Sequence, residues 1–434
     1  MILNSNVVGI IADDLTGAND TALQFHMRGA NTQILLSDDV EPLNVLNTQT
    51  WAIPTESRNV TPNEAYEKVK STTEKFVNVL KADYIYKKID STVRGNIAVE
   101  SLAILKTLEW DAVVVIPAFP LEGRTTVGGY HLLNGVPIER TEMARDPHSP
   151  IFESHLPTLF KSQLPEEYHN LISTISLSTV MKGAGPILMK LNELVREGKK
   201  LIIADAVSMT DIEQLVLAIT KSDSKILPAG TAAAAMAFSE IWFPEDEIEK
   251  ESKIKPSLPR FIVSGSATQI TAKQIEKLEK NCDFAEKLLS ISLDMFTILG
   301  GVKEELVEQI CSTLSENNVV MVHTANLMKT FDTLSEESLR AELTKAELAN
   351  VITDFLAELT KQVIAKKKVI LITLGGETSY KCCASINADQ LQLVDQVLPA
   401  IALSLDHNAQ WIVTKSGNLG NEDTLINILK YFEK

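Results

Sequence analysis

The sequence predicts an α/β protein of two domains, each a largely parallel, helix-covered sheet, with the active site in the interdomain cleft. Three observations lead there. Short apolar runs alternate with stretches of helical apolar spacing along almost the whole chain, the rhythm of parallel strands joined by crossover helices. At 434 residues the chain is too long for one ordinary core. One segment, PEDEIEKESKIKPSLP from Pro244 to Pro259, is dense in charge, holds three prolines and has little to bury. It reads as a linker (244–259), leaving an N-terminal domain of 1–243 and a C-terminal domain of 260–434, both of ordinary domain size.

In the first domain, strands are expected at Val7–Ala12, Thr32–Leu36, Tyr84–Lys87, Ala112–Ile116 and Leu201–Asp205. Each is a short run of aliphatic, β-branched or aromatic residues bounded by polar ones. In the second domain the same pattern marks Phe261–Ser264, Val319–His323, Val369–Leu374 and Trp411–Thr414. Apolar residues at helical spacing predict helices through Ala272–Leu278 and Leu343–Ala365, and another beginning at about Thr21.

Composition narrows the function. Apolar residues make up 45% and charged residues 23%, the balance of a globular protein with material for two cores. The net charge of −16 disfavours attraction to nucleic acid or an anionic membrane. An anionic substrate therefore needs a local basic cluster. No apolar run approaches the ~18 residues of a membrane span, and no charged leader with an apolar stretch opens the chain, so the expected location is the cytoplasm. Cys282, Cys311, Cys382 and Cys383 have no C-x-x-C spacing and read as reduced, buried thiols.

The chemistry gathers where predicted strands end. VVGIIADDLTGANDTALQF, Val7 to Phe25, closes a strand on Asp13 and Asp14, at the position where open α/β sheets bind ligands. Thr16, Gly17 and Asn19 supply turn chemistry before the helix. One aspartate alone reads as a helix cap; two, with Asp20 nearby, point to catalysis. Next comes KKIDSTVRGN, Lys87 to Asn96, in which Lys88, Asp90, Ser91 and Arg94 could neutralise an anion and receive a proton. PAFPLEGRTTVGGYHLLNGVPI, Pro117 to Ile138, reads as a long binding loop carrying Arg124; its His131 is expected to be structural. Arg58, in TESR, is a further anion contact.

In the second domain the strand exits lose charge and gain glycine: SGSAT from Ser264 through Gly265 and Ser266, LGGETS through Gly375, Gly376, Glu377 and Thr378, and KSGNLG through Gly417 and Gly420. Backbone N–H groups and a helix dipole at such turns suit phosphate oxygens. Neither G-x-x-x-x-G-K-[ST] nor a strand-following G-x-G-x-x-G is present, which argues against a P-loop enzyme and a standard dinucleotide binder. One domain thus suits a small polar anion and the other a polyphosphate, the division that in-line phosphoryl transfer needs.

These motifs resemble the four-carbon acid sugar kinases over nearly the whole chain: IADDLTGAND, KKIDSTVRGN, PAFPLEGRTTVGG, then GGET and KSGNLG. The resemblance implies a substrate-binding N-terminal domain and a nucleotide-binding C-terminal one. It implies ATP-dependent phosphorylation of the terminal (C4) hydroxyl of threonate, erythronate, 3-oxo-tetronate or a similar acid. By motif, the substrate contacts are Asp13, Asp14, Arg58 and Lys88, Ile89, Asp90 and Ser91. The nucleotide contacts are Ser264, Ser266, Gly375 to Thr378 and Gly420. PAGTAAAA, Pro228 to Ala235, departs from the family's usual GSAGLA pattern and reads as a loop. Asp13, Asp14 and Asp90 are the candidate proton acceptors, with the adjacent pair favoured as base and one of its members expected to have a raised pKa; the pair could instead hold Mg²⁺. The expected partners are a small sugar acid and ATP with Mg²⁺, with no nucleic acid and no membrane, and a homodimer is left open. Two other classes share part of this pattern. A non-catalytic sugar-acid and nucleotide sensor would need no proton acceptor, and a nicotinamide-dependent dehydrogenase would need the missing dinucleotide fingerprint.

Overall fold

The computed structural model describes residues 6–145, 149–244, 255–266, 268–284, 286–314, 318–325, 327 and 345–433. They form two compact units, Met1–Ile248 and Glu249–Lys434. Most of the segment read as a linker, residues 245–254, lies outside the described residues.

The first unit is a parallel sheet. Its strands are β1 (Val8–Ala12), β2 (Thr32–Leu35), β3 (Thr50–Pro54), β4 (Tyr84–Lys88), β5 (Ala112–Ile116), β9 (Ile172–Ile175), β10 (Leu201–Ala204) and β11 (Ile226–Gly230). They lie in the order β2-β3-β1-β4-β11-β5-β10-β9. Trp51, Ile85, Val113 and Leu227 from the strands pack with Phe76, Ile104 and Phe160 from helices into one core. β1 and β5 are buried at every position, which is why they read as continuous apolar runs instead of alternating ones.

Three sequence readings are corrected in this unit. The first helix, α1 (Leu15–His26), starts at Leu15, because Asp14 caps it by accepting from Gly17 N; Thr16, Gly17 and Asn19 are therefore helical. Pro117–Ile138 is not an open loop: it folds as a small antiparallel sheet of β6 (Arg124–Val127), β7 (Tyr130–Leu133) and β8 (Val136–Pro137). Pro228–Ala235 is the end of β11 and the start of the helix Ala232–Trp242. A proline inside a central strand concealed it, since proline gives up a ladder hydrogen bond.

The second unit carries β12 (Arg260–Ser264), β13 (Leu288–Ser292), β14 (Val319–His323), β15 (Ile370–Leu374), β16 (Gln390–Leu398), β17 (Ile401–Asp406) and β18 (Trp411–Lys415). The order is β13-β14-β12-β15-β18-β17-β16, parallel through β18 and antiparallel beyond it. The helices Gln269–Glu279 and Thr424–Tyr431 bury Ile275, Leu278, Leu425 and Ile428 against Ile262, Ile372 and Val413. Of the cysteines, Cys282 is exposed and the other three are buried. No described helix is long and apolar enough to cross a membrane.

Candidate active site

β3, β1 and β4 are neighbours, and Ala12 lies in register with both Pro54 and Lys88. The chain leaves β1 for β2 and β3 on one side and then crosses to β4 on the other, so their outgoing loops diverge at a switch point of the sheet. Asp13 and Asp14, Thr55 to Arg58, and Ile89 to Arg94 therefore leave the sheet at one level.

Arg58 organises them. Its Nε donates to Asp13 Oδ2 at 2.8 Å, its Nη1 lies 2.9 Å from Asp14 Oδ2, and its Nη2 lies 3.5 Å from Asp90 Oδ1. Adjacent residues of an extended strand point to opposite sides, but Asp14 is the N-cap at the entry to α1, and one guanidinium reaches both carboxylates. Asp14 is occupied on both oxygens, Oδ1 by Gly17 N at 2.7 Å and Oδ2 by Thr16 Oγ1 at 2.9 Å as well as by Arg58. Asp90 is gripped by Arg94, whose Nε and Nη2 each donate at 2.9 Å, and it also accepts from Thr92. Asp13 Oδ1 is buried and has no hydrogen-bond partner.

Electrostatics separate these acids. Burial alone would raise both Asp13 and Asp90. At Asp13 the charges of Arg58, Lys87 and Lys88 outweigh burial and hold the carboxyl below its ordinary range; at Asp90, Arg94 and Arg58 hold it well below. The carboxyls raised by crowding are two others. Burial, then Asp14, pushes Glu56 well above the ordinary glutamate range. Burial also lifts Asp20 to about 7, against the pull of Lys88.

Lys88 is nine-tenths buried, and its ammonium donates to Ile89 O at 2.8 Å with no carboxylate in ion-pair range among the described residues. Ile89 itself contributes backbone, its N–H bonding Gly230 O at 2.9 Å. Two strained residues fix the loops. Glu56 has φ 45 and accepts from Leu15 N at 2.9 Å; Val93 has φ 58, a conformation β-branched residues rarely adopt. Asn96 Nδ2 ties the loops together by donating to Ser57 O and Val60 O. Below them Lys87 pairs with Glu100 at 2.6 Å, both fully buried, and Glu100 also accepts from Ser57 Oγ at 2.7 Å.

His131 supports the β4 loop. Burial lowers it to about 4, so it is neutral; Nε2 donates to Ser91 O at 3.0 Å, and Nδ1 faces Thr126 Oγ1 at 3.1 Å. Asp205 braces the hairpin by accepting from Gly128 N and Gly129 N. Arg124 makes no hydrogen bond to the Arg58 cluster in the described residues, but its charge and that of Asp90 both reach His131. Its Nη1 donates to Glu122 O at 2.7 Å and pairs with the Glu122 carboxylate at 3.1 Å.

Residue patterning had not singled out Glu56, Glu100 or Asn96, and it counted Lys87 only as one of the two lysines of KKIDSTVRGN, an anion contact, where the structure buries it against Glu100. Glu100 did carry a signal, as a lone charge in the apolar run IAVESLAIL of the helix Ile97–Leu108.

In the second unit, the loops after β12, β15 and β18 again leave adjacent parallel strands. Gly375 has φ 110 and precedes the helix Gly376–Ser385, placing Gly376, Glu377 and Thr378 in the first turn. A Cβ on Gly265 would lie 2.5 Å from Thr378 Oγ1, so a side chain there would have to displace the Thr378 hydroxyl. Thr268 and Thr271 hydroxyls each donate to Gly417 O at 2.7 Å, and Ser266 Oγ donates to Thr271 Oγ1 at 3.2 Å. Gln274 Nε2 donates to Leu419 O and Asn421 O, on either side of Gly420. Ser264 Oγ is buried with no hydrogen-bond partner. Glu377 lies 3.6 Å from Lys381.

Among the described residues no group of three or more His, Cys, Asp or Glu could hold a metal. The Asp13–Asp14 pair is committed to Arg58, so a Mg²⁺ ion has no protein-built cage in it.

Comparison with known proteins gives this geometry a family. Residues 8–238 match the sugar-binding N-terminal domain, and residues 261–425 match the nucleotide-binding C-terminal domain. The chain is 28% identical to the D-threonate kinase of Salmonella typhimurium, with 98% of each chain covered. It is also 28% identical to the D-erythronate kinase of Heliobacterium modesticaldum, covering 98% of this chain and 97% of that one. The 3-oxo-tetronate kinase of Haemophilus influenzae is 25% identical over 96% of this chain and 98% of its own. A solved Haemophilus influenzae structure shares the fold, with TM-score 0.73 at 24% identity, covering 98% of this chain and 100% of that one. The chain belongs to the family that joins a sugar-binding N-terminal domain to a nucleotide-binding C-terminal domain, that of the four-carbon acid sugar kinases.

Proposed function

We propose that the protein is an ATP-dependent kinase that phosphorylates the terminal (C4) hydroxyl of a four-carbon sugar acid such as threonate, erythronate or 3-oxo-tetronate. The observation that carries this reading is a buried cation that makes no ion pair among the described residues, set at one switch point with an open carboxylate oxygen: the Lys88 ammonium and Asp13 Oδ1. An ammonium without a counter-ion in a buried site is costly unless an anion arrives. The acid's carboxylate is that anion, taken by Lys88 beside the Asp90–Ser91 turn, and Arg58 adds its charge from across the site.

The roles of the three aspartates follow from what each is already bonded to. Asp14 caps α1 and orients Arg58. Asp90, locked by Arg94 and held far below the ordinary carboxylate range, is a poor base and a good acceptor for the substrate's hydroxyls. Asp13 Oδ1 takes the proton from the attacking hydroxyl. Its lowered pKa does not disqualify it, because a loose phosphoryl-transfer transition state asks for little deprotonation before the P–O bond is nearly formed. The C-terminal domain brings ATP, its phosphates seated on the glycine turns at Ser264–Ser266, Gly375–Thr378 and Gly417–Gly420. A Mg²⁺ ion arriving with the nucleotide would neutralise phosphate charge.

The test is ADP release from ATP with a panel of C3 to C6 sugar acids, run beside a nicotinamide absorbance control. Stimulation by a four-carbon acid, with no nicotinamide signal, is expected. If no acid in the panel stimulates ADP release, the kinase reading is wrong.

A further inference from the structure

Lys415 is the last residue of β18, fully buried, and one of the largest fully buried side chains in the protein. Its ammonium donates to Ser416 O at 2.8 Å, and no described carboxylate lies in ion-pair range. That hydrogen bond reaches one residue downstream, so the charge lies past the end of the strand, against the glycine-rich segment Ser416–Gly420. The β15 loop closes over the same point, Gly375 N donating to Lys415 O at 2.8 Å.

The register adds an independent observation. Lys415 pairs with Leu374, and Leu374 pairs with Ser264. In-register residues of parallel strands project to the same face, and two strand spacings put Ser264 and Lys415 about 10 Å apart. Ser264 Oγ is a buried hydroxyl without a hydrogen-bond partner among the described residues. The carboxyl edge thus holds a cation without a carboxylate partner and an unsatisfied hydroxyl on one face, two strands apart with Leu374 between them, at the exits that carry the glycine turns.

We propose that Lys415 is a phosphate-binding residue that receives the polyphosphate of the nucleotide, with Ser264 at the other end of the same row. The inference rests on the nucleotide reading of this domain and adds a residue and a direction to it. A purely structural lysine here would be hard to account for, since an apolar residue of similar volume fills a strand end without leaving an ammonium unpaired. Burial lowers the Lys415 ammonium to about 7, as expected of a cation waiting for its anion.

The experiment is calorimetric titration of the full-length protein with ATP, ADP and adenosine, comparing wild type, Lys415→Met and Lys415→Gln. Glutamine keeps a donor for Ser416 O and removes the charge, so it preserves any structural role and guards against misfolding of the methionine variant. ATP and ADP affinity should fall roughly 10- to 100-fold in both variants, the range for a lost hydrogen bond to a charged group, while adenosine binding is unchanged. The wild-type advantage over Lys415→Gln should shrink as pH rises above about 7, because the protonated amine is the binding form. Thermal stability of the nucleotide-free methionine variant should rise. A Lys415→Gln protein that binds ATP as wild type does overturns the inference, as does an equal loss of ATP and adenosine. Wild-type protein that binds no ATP at all would overturn the nucleotide reading, and this inference with it.

Discussion

Asp13→Asn removes the proposed proton acceptor with almost no change of shape. Arg58 keeps Asp14 at 2.9 Å and Asp90 at 3.5 Å, so the cluster does not lose its cation, and an amide oxygen can still accept from Arg58 Nε. Lys88 is untouched. Substrate affinity should therefore be nearly preserved. Loss of general-base assistance should lower kcat by about 10²- to 10⁴-fold, or about 3–5 kcal/mol of barrier. Asp90→Asn breaks the fork with Arg94 and should mainly raise KM. Steady-state ADP release with the preferred acid separates kcat from KM for both variants. The pH profile gives a second reading. Asp13 is held below the ordinary carboxylate range, so wild-type kcat should stay flat from about pH 8 down to about pH 5. An acid limb near pH 7 would instead implicate Asp20, whose buried carboxyl is raised to about 7 beside Lys88. Turnover of Asp13→Asn within tenfold of wild type, or that limb, refutes the assignment to Asp13.

Other expected outcomes test the supports of the site. Lys87→Met leaves Glu100 charged and buried, and should destabilise the N-terminal domain by about 3–5 kcal/mol in urea denaturation, with most of the loss recovered in Lys87→Met/Glu100→Leu. His131 is neutral in the fold with a pKa lowered from 6.5 to about 4, so the unfolded chain binds its proton first; stability is full above about pH 6.5 and falls by about 3 kcal/mol as pH drops to about 4. His131→Asn should lack that component when the two proteins' urea midpoints are compared across this range. Gly265→Ala places a Cβ 2.5 Å from Thr378 Oγ1, and should lose roughly tenfold in ATP affinity, since overpacking costs about 1–3 kcal/mol, with the N-terminal domain's unfolding unchanged.

The sequence by itself determined the fold class and where the chemistry collects. Short continuous runs rich in β-branched residues, such as Ala112–Ile116, read as strands covered on both faces, and loops at their carboxyl ends are where an α/β sheet exposes polar groups. The motif residues Asp13, Asp14, Arg58, Lys88, Asp90 and Arg94 were all visible this way, as were the glycine turns of the second domain. Strands that interrupt the pattern were not. β11 contains Pro228, and β16 and β17 form a bulged antiparallel pair with a mixed burial pattern, so neither reads as an apolar run.

Only the tertiary structure decided what each charged residue does, because pKa and hydrogen bonding depend on neighbours far apart in sequence. Asp13 and Asp14 look equivalent along the chain. Arg58, 45 residues away from Asp13, and the start of α1 make one a cap and leave the other an open oxygen. Nothing local distinguishes Lys87 from Lys88 either; alternation along β4 sends one side chain to Glu100 and the other to an unpaired position beneath α1. Lys415 read as the first residue of the glycine turn after Trp411–Thr414, and the register of three strands places it in β18, buried on the same face as Ser264. The sequence specifies which groups are present and on which edge, while the crossing of β-α-β units sets the distances that turn them into acid, cap or cation.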